Sequence, residues 1–256
     1  MDYIRIIDSD NNIYNYPNDF WLSDNGWKVT SKTKNIAFYA GGKDVADNFL
    51  QARNLTVEGF IRADDLYSLE IIERGVQKAT LKGGKLYVIG DVVNRYMEVK
   101  APTVSSNYTN DYRTEKKYNI NYMVEYPFWQ NATLTEVISI LDGSTGGEQF
   151  TVDNSESDFL VYPIITIAAD QGNDLPYIKL TNLTDNGMFF IYEDPNFLSG
   201  NTLVIDCREG TVLLNGVDSF VYFTTPRFLR VQDAINTFFY EGAPCTITIT
   251  FRKVFL

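Results

Sequence analysis

The fold is decided by the stretch PNFLSGNTLVIDCREGTVLLNGVDSF, residues 195–220. Leu203, Ile205 and Cys207 are predicted to face the core and to alternate with residues 202, 204 and 206, which is the period of a strand with one buried face. Arg208-Glu209-Gly210 then predicts a three-residue hairpin loop, because a glycine readily adopts the positive φ that such loops need. Residues 211–214 return as the partner strand, and Asn215-Gly216 predicts a second tight turn. The stretch therefore predicts antiparallel scaffold and no catalytic apparatus.

The same β texture extends through most of the second half of the chain. Short strands separated by turn residues follow one another without a helical period, which implies an antiparallel sandwich or barrel. In the last of them, Cys245, Ile247, Ile249 and Phe251 alternate with threonines and are predicted to face inward. The other predicted strands are residues 159–167, 177–183, 187–192, 219–223 and 245–254.

The first half of the chain predicts strands around a single helix. An apolar period of 3.6 residues runs over residues 65–79, with Leu66, Leu69, Ile72 and Val76 as its apolar stripe. Asp64-Asp65 could form an acid/base pair, but capping of this helix is the favoured interpretation. The predicted strands of this half are residues 1–7, 13–16, 27–33, 35–40, 55–62, 86–89, 95–101, 118–126 and 134–141.

These patterns predict a mainly β protein of two domains. The turn-rich sequence DGSTGG at residues 142–147 is the best candidate linker. Residues 1–142 are expected to form a β-rich α+β domain with one helix. Residues 148–256 are expected to form an antiparallel β-sandwich.

Composition excludes several classes of function. The 256-residue chain has no histidine, which removes the commonest general base, the commonest zinc ligand and every histidine-assisted nucleophile. Its formal charge of −11 argues against a nucleic-acid surface. From Gly146 onward there are 14 acidic and 6 basic residues, so the acidity lies mainly in the second half.

Smaller features leave alternatives open. Cys207 and Cys245 both fall at inward positions, as small buried hydrophobes or as a disulfide pair. Asp8, Asp10, Asn12 and Asp19 have calcium-loop spacing, but the glycine needed for the bend is missing, so an Asx-rich hairpin turn is favoured. No signal peptide and no membrane span are recognised, so we expect a soluble protein made in a cytoplasm.

Several stretches resemble one known family. The helix with its flanks LTVEGFIRADD and GGKLYVIG, the junction VEYPFWQ at residues 124–130, and GNTLVIDCREGTVLLNG at residues 200–216 carry the resemblance, with YPIITIAAD and IKLTNLT upstream. Together they resemble the distal tail protein (Dit) family of bacteriophages with long, non-contractile tails, the siphophages. The resemblance spans essentially the whole chain.

The resemblance implies a structural virion protein and no enzyme or cofactor. It implies a hexameric ring built by the first domain, with a galectin-like sandwich outside it, that joins the tail tube to the tail tip or baseplate and its adsorption proteins. Such a ring would be assembled in the bacterial cytoplasm, reside at the tail tip, contact no membrane, and let DNA pass without specific binding.

The candidate ring contacts are named from two segments. Residues 102–117 are polar and fit either a loop or a projecting hairpin arm that embraces the next subunit, and residues 27–40 are the second choice. The interface residues predicted from them are Tyr108, Tyr112, Arg113, Lys116, Trp27 and Phe38.

Two other functions were weighed against the ring. The first is a carbohydrate-binding sandwich module that contacts host surface sugars, with Trp21, Trp27 and Trp129 as stacking residues. The second is a hydrolase that uses paired carboxylates, for which no specific pair stands out.

Overall fold

The computed structural model describes residues 3–24, 53–89, 94–109, 114–124, 128–143 and 146–255. Its contacts divide the chain into two compact units, Met1–Trp129 and Gln130–Leu256. The predicted strands at residues 27–33 and 35–40 lie outside the described residues. The predicted class, mainly β with one α-helix, is confirmed.

The first unit is an antiparallel sheet with one helix. The strands pair in the order β2-β1-β5-β6-β8-β4-β3, and β7 pairs with β8. A last short strand, β9, crosses into the second unit. The elements are β1 (Tyr3–Asp8), β2 (Ile13–Asn15), β3 (Phe20–Asp24), β4 (Arg53–Arg62), α1 (Leu66–Thr80), β5 (Gly84–Ile89), β6 (Asn94–Val99), β7 (Thr103–Tyr108), β8 (Glu115–Val124) and β9 (Trp129–Asn131).

Helix α1 begins where the sequence predicts. The Asp65 carboxylate accepts hydrogen bonds from the backbone N–H and the hydroxyl of Ser68, both at 2.8 Å. The capping interpretation is therefore confirmed for Asp65. Leu69 and Val76 are buried as predicted, but Leu66 is 46% exposed because it lies in the first turn, ahead of the buried face.

The segment predicted as a loop or a projecting arm is a hairpin within the sheet. β7 pairs with β8 from Thr103 opposite Asn121 to Tyr108 opposite Lys116. On its other side β8 pairs with β4 along its whole length, as far as Glu115 opposite Arg62. The described part of the hairpin is thus supported by β4 and does not project.

The second unit contains two antiparallel sheets whose inner faces are apolar. One has the order β10-β20-β12-β15-β16-β17 and the other β11-β19-β13-β14-β18. The strands are β10 (Thr135–Leu141), β11 (Glu148–Asp153), β12 (Ile164–Ala169), β13 (Tyr177–Asn182), β14 (Met188–Glu193), β15 (Thr202–Asp206), β16 (Thr211–Leu214), β17 (Val217–Asp218), β18 (Phe223–Thr224), β19 (Ile235–Gly242), β20 (Cys245–Phe251) and β21 (Val254–Phe255).

The stretch at residues 195–220 forms the predicted hairpins. The strand predicted at residues 219–223 is wrong, because Phe220–Tyr222 form a 3-10 turn and only the short β18 follows it. The first hairpin differs from the prediction in its loop. Asp206 pairs with Thr211, so the first loop has four residues and includes Cys207. The φ angles are +71° at Gly210, +49° at Asn215 and +80° at Gly216. Two successive positive φ angles are those of the type I′ turn, whose twist matches the strands that it joins.

The unit boundary lies earlier than the linker predicted at residues 142–147. β10 precedes that linker, yet it pairs with β20 over seven residues, from Thr135 opposite Phe251 to Leu141 opposite Cys245. Ladder hydrogen bonds between residues more than 100 positions apart thus place residues 135–141 in the second unit. The expected domains, 1–142 and 148–256, differ from the observed units in this strand.

The structure also shows the turn at residues 8–12 and the state of the two cysteines. Residues 8–12 form the predicted hairpin turn, in which Asp8 accepts backbone N–H groups from Asp10 and Asn12 at 2.9 Å. Cys207 and Cys245 are buried free thiols, and burial raises the pKa of each, to about 12 and about 11. Within the described ranges, no helix combines the length and apolar composition needed to cross a bilayer.

Candidate assembly interface

Only two of the six predicted interface residues fall in the described part of the chain. Tyr108 ends β7 and is 44% exposed, while Lys116 lies directly opposite it on β8. Trp27, Phe38, Tyr112 and Arg113 lie outside the described residues. Their role at an interface stays a prediction.

Lys116 is engaged inside the first unit. Its ammonium group forms an ion pair with Glu73 of α1, and both side chains are largely buried, 13% and 15% exposed. The Tyr118 hydroxyl donates to the same Glu73 oxygen at 2.8 Å. Lys116 also lies 5.1 Å from the Tyr108 ring centre. The cluster ties α1 to β8, so Lys116 supports the hairpin from within.

The electrostatics of Glu73 follow from these contacts. Burial alone would raise the pKa of the Glu73 carboxyl. The hydrogen bonds from Lys116 and Tyr118 and the charge of Lys116 together outweigh burial, so the pKa lies below its ordinary value. Burial and the nearby carboxylate raise the pKa of Tyr118, so its hydroxyl remains a donor. Glu73 is thus an ionised acceptor at neutral pH.

Replacing Glu73 with Gln is expected to lower the free energy of unfolding of the first unit at pH 7 by about 1–3 kcal/mol, because Lys116 and Tyr118 lose their charged acceptor. Since the folded-state pKa is lowered, this stabilisation is present above the unfolded-state pKa and lost as the pH falls through the folded-state value. The stabilities of E73Q and the wild type should therefore converge once the pH falls below the lowered folded-state pKa of Glu73.

The measurement is urea unfolding followed by tryptophan fluorescence, because all three tryptophans lie in residues 1–129. The exposed Glu70, on the same helix, supplies the control E70Q, which should be nearly neutral. An E73Q difference that is equal at pH 3 and pH 7 would contradict the electrostatic account.

The outer edge of β7 is an open strand edge. Within the described chain β7 pairs with β8 alone, and its six side chains are exposed except Ser106, which is half-buried. Its sequence, TVSSNY, lacks the lysines, prolines and bulges with which natural edges avoid pairing with another chain. Val104 is 40% exposed on the same strand. The edge is therefore suited to pairing with another strand.

Sequence analysis named Tyr108 but missed Val104 and Ser105, which lie in the middle of this edge. A strand that is exposed on both faces has no reason to alternate apolar and polar residues, so β7 carried no period to detect. Its existence follows from the register with β8 instead.

The outer face of β4, β8 and β7 is mainly polar, with Phe60 and the half-exposed Met123 as its apolar side chains. Thr56 donates to the Asn121 side chain at 2.8 Å, and Asn121 donates to Asn119 at 2.9 Å. The charges on this face occur in pairs, Glu58 with Lys117 and Arg62 with Glu115. This face therefore carries hydrogen-bonding groups without a net charge from those four residues.

The two units differ sharply in charge. Residues 1–129 contain 17 Asp and Glu against 16 Lys and Arg, a formal charge of −1. Residues 130–256 contain 16 against 6, a formal charge of −10. Copies of the first unit can therefore approach one another without strong repulsion, whereas copies of the second cannot.

The two described tryptophans among those proposed for sugar stacking differ in their surroundings. Trp129 is 8% exposed and belongs to the core, and Trp21 is 44% exposed and lies 5.9 Å from the Phe60 ring. Trp27 lies outside the described residues. Residues 130–256, which include the whole sandwich, contain no tryptophan. Among the described residues, no group of three or more potential ligands could hold a metal ion.

Comparison with protein families identifies the second unit. Residues 156–255 match the family described as siphovirus-type tail component, C-terminal domain. The second unit is therefore similar to the C-terminal domain of siphophage tail components. The matched residues run from the loop before β12 to β21.

The solved structures show the likeness of fold over the whole chain. The Dit protein (gp 19.1) of phage SPP1, described as a paradigm of hub adsorption apparatus in phages that infect Gram-positive bacteria, is similar at a TM-score of 0.66 and 13% identity over 100% of both chains. A chain of the phage P2 baseplate in its activated conformation with Ca has a TM-score of 0.49 and 9% identity over 98% of both chains. No curated protein matches the sequence.

Proposed function

We propose that this chain forms a hexameric ring that joins the distal end of the tail tube to the tail tip or baseplate and its adsorption proteins. The observation that carries the proposal is the match of residues 156–255 to the siphovirus-type tail component family. The fold shared with SPP1 Dit along the whole chain supports it. The chain then acts by assembly and not by catalysis, after being made in the host cytoplasm.

The ring contact is proposed to run along β7. A ring requires a heterologous contact, in which one surface of each copy meets a different surface of the next. The open edge of β7 offers unpaired backbone groups for such a contact, and the nearly neutral first unit permits close approach. The segment at residues 27–40, which lies outside the described residues, remains the second candidate.

The polar face of β4, β8 and β7 is proposed to line the channel. Its paired charges present no basic cluster, and tight binding of DNA needs clustered Lys and Arg that neutralise phosphates. A hydrogen-bonded wall of Asn, Thr and Ser would let the duplex pass without holding it.

The first test is the mass of the purified chain by sedimentation velocity and native mass spectrometry. The expected particle is six times the 29.2 kDa chain mass, with a central opening in negative-stain images. The variant V104K/S105K, which puts a lysine on each face of the β7 edge, should shift the population to monomers because edge lysines block strand pairing.

The matched control is V221K/I235K, which adds the same two charges at exposed positions of the second unit, 84% and 60% exposed. It should keep the wild-type mass. A wild-type chain that stays monomeric at tens of micromolar overturns the ring, and a V104K/S105K chain that still forms the full particle moves the contact away from β7.

A further inference from the structure

A second open edge lies in the sandwich, at β10. Seven consecutive residues of β10 pair with β20 in unbroken register, and no described strand pairs with the other side of β10. The sequence TEVISIL has one charge, no proline, no glycine and no lysine. It thus combines length, regular pairing and β-branched residues, which are the properties of an edge that accepts another strand.

The other edges of the sandwich lack this combination. β17 and β18, which end the two sheets on the far side, are only two residues long. β11 is six residues long but carries an acidic residue at each end, Glu148 and Asp153. Short strands and charges are the usual protections of an edge. β10 has seven residues and a single charge, Glu136, so it is the least protected of these four edges.

The outer face of β10 is apolar at Ile138 and Ile140 and carries one charge, Glu136. Ile138 and Ile140 are 60% and 79% exposed on the outer face of the sheet. Their neighbours across the ladder are Thr248 and Thr246 of β20. A strand added at β10 would place alternate side chains beside these isoleucines, and β-branched side chains pack best in such cross-strand pairs.

Charge distinguishes between the possible occupants of this edge. A second copy of the chain would bring two units of formal charge −10 together across a strand spacing of about 4.8 Å. Glu136, the one charge on β10, is exposed and adds to that repulsion. A strand with positive charge is attracted by the same field.

We propose that the open edge of β10 binds an extended strand of a different protein, one with β-branched side chains and with Lys or Arg at its ends. The backbone groups of β10 supply the ladder hydrogen bonds, Ile138 and Ile140 select β-branched side chains, and the acidic unit selects a basic partner. This interaction goes beyond the ring and does not depend on it.

The test uses the fluorescein-labelled peptide KTVTVTVK and the full chain at low salt. Fluorescence anisotropy should show binding, hydrogen exchange of residues 135–141 should slow, and added salt should weaken the complex. The peptides ETVTVTVE, of opposite charge, and KTVPVTVK, which cannot extend a ladder, should bind at least about tenfold more weakly.

The variant I138K/I140K should bind KTVTVTVK about tenfold more weakly. Lysines on an edge strand hinder the addition of another strand, and they also repel the lysines at the ends of the peptide. V221K/I235K, with the same added charge in the same unit, should bind nearly as the wild type does. Failure of KTVTVTVK to bind, equal binding of ETVTVTVE, or unchanged exchange at residues 135–141 overturns the proposal.

Self-association is the remaining competing outcome. A concentration-dependent rise in mass that I138K/I140K abolishes and V221K/I235K keeps would assign the edge to a second copy and so overturn the proposal. The ring is tested by a separate variant, because V104K/S105K is expected to change the particle mass through β7 and leaves the β10 edge intact.

Discussion

Replacing Asp185 with Asn is expected to destabilise the second unit by about 3–5 kcal/mol, one of the two largest effects predicted for this chain. The Asp185 side chain is 1% exposed and lies opposite two arginines. Arg230 donates to it through Nε at 3.1 Å and Nη2 at 2.8 Å, and Arg227 donates at 3.0 Å. An amide would leave the Arg230 charge largely buried without its counter-charge.

The Asp185 carboxylate belongs to a wider polar network. Gln232 also donates to it, at 2.7 Å. Two fully buried amides continue the network, since Asn182 donates to the Arg230 carbonyl at 2.7 Å and Asn236 accepts from the Gln232 backbone at 2.8 Å. The network fastens the irregular segment before β19 onto the turn after β13. Its loss should therefore loosen both segments together.

Unfolding of D185N is best followed by urea-dependent hydrogen exchange of residues 177–194, because residues 130–256 have no tryptophan. The control is D233N, the same chemical change at an exposed residue of the same segment, which should cost little. If D185N and D233N unfold at the same urea concentration, the network does not carry the stability assigned to it.

Replacing Phe20 with Ala is expected to cost the first unit about 3–5 kcal/mol, as for other buried aromatic residues. Phe20 is 6% exposed, and its ring stacks on Tyr16 with 5.4 Å between ring centres. It lies directly across from Gly59 on β4. A Cβ atom at Gly59 would approach the Phe20 ring to 2.3 Å, so the ring fills the space that a side chain would take.

The Gly59→Ala substitution should cost about 1–3 kcal/mol in the wild type, because the Phe20 ring must move. In F20A that clash is absent, so G59A should cost much less there, and the double mutant should be more stable than the sum of the single effects predicts. Tryptophan fluorescence in urea measures the cycle. Strict additivity would show that ring and glycine do not share the site, and I13A, at a residue 58% exposed, controls for general effects of truncation.

Local sequence patterns predicted much of the fold. The alternation at residues 245–251 predicted which residues face inward, and Cys245, Ile247, Ile249 and Phe251 are all buried. Each strand of a sandwich has one face on the core, so its side chains must alternate. The cap at Asp65 and the turn at Asn215-Gly216 were equally readable, because each depends on neighbours a few residues away.

The candidate interfaces were harder to predict from the sequence. Residues 102–117 were predicted as a loop or a projecting hairpin arm, but the pairing of β8 with β4 holds the described part of the hairpin in the sheet. Lys116 was named as an interface residue, but it forms an ion pair with Glu73, 43 positions away along the chain. Such contacts depend on which strands become neighbours, and no local period encodes that choice.

The sequence by itself determined the class of the fold, the single α-helix, the tight turns and the resemblance to siphophage tail components, because periodicity, caps and turns are short-range properties. The tertiary structure alone decided that β10 belongs to the second unit, that the charges divide as −1 and −10, and that β7 and β10 each pair with a described strand on one side only. The physical reason is that an edge is defined by the absence of a neighbouring strand, which only long-range pairing reveals.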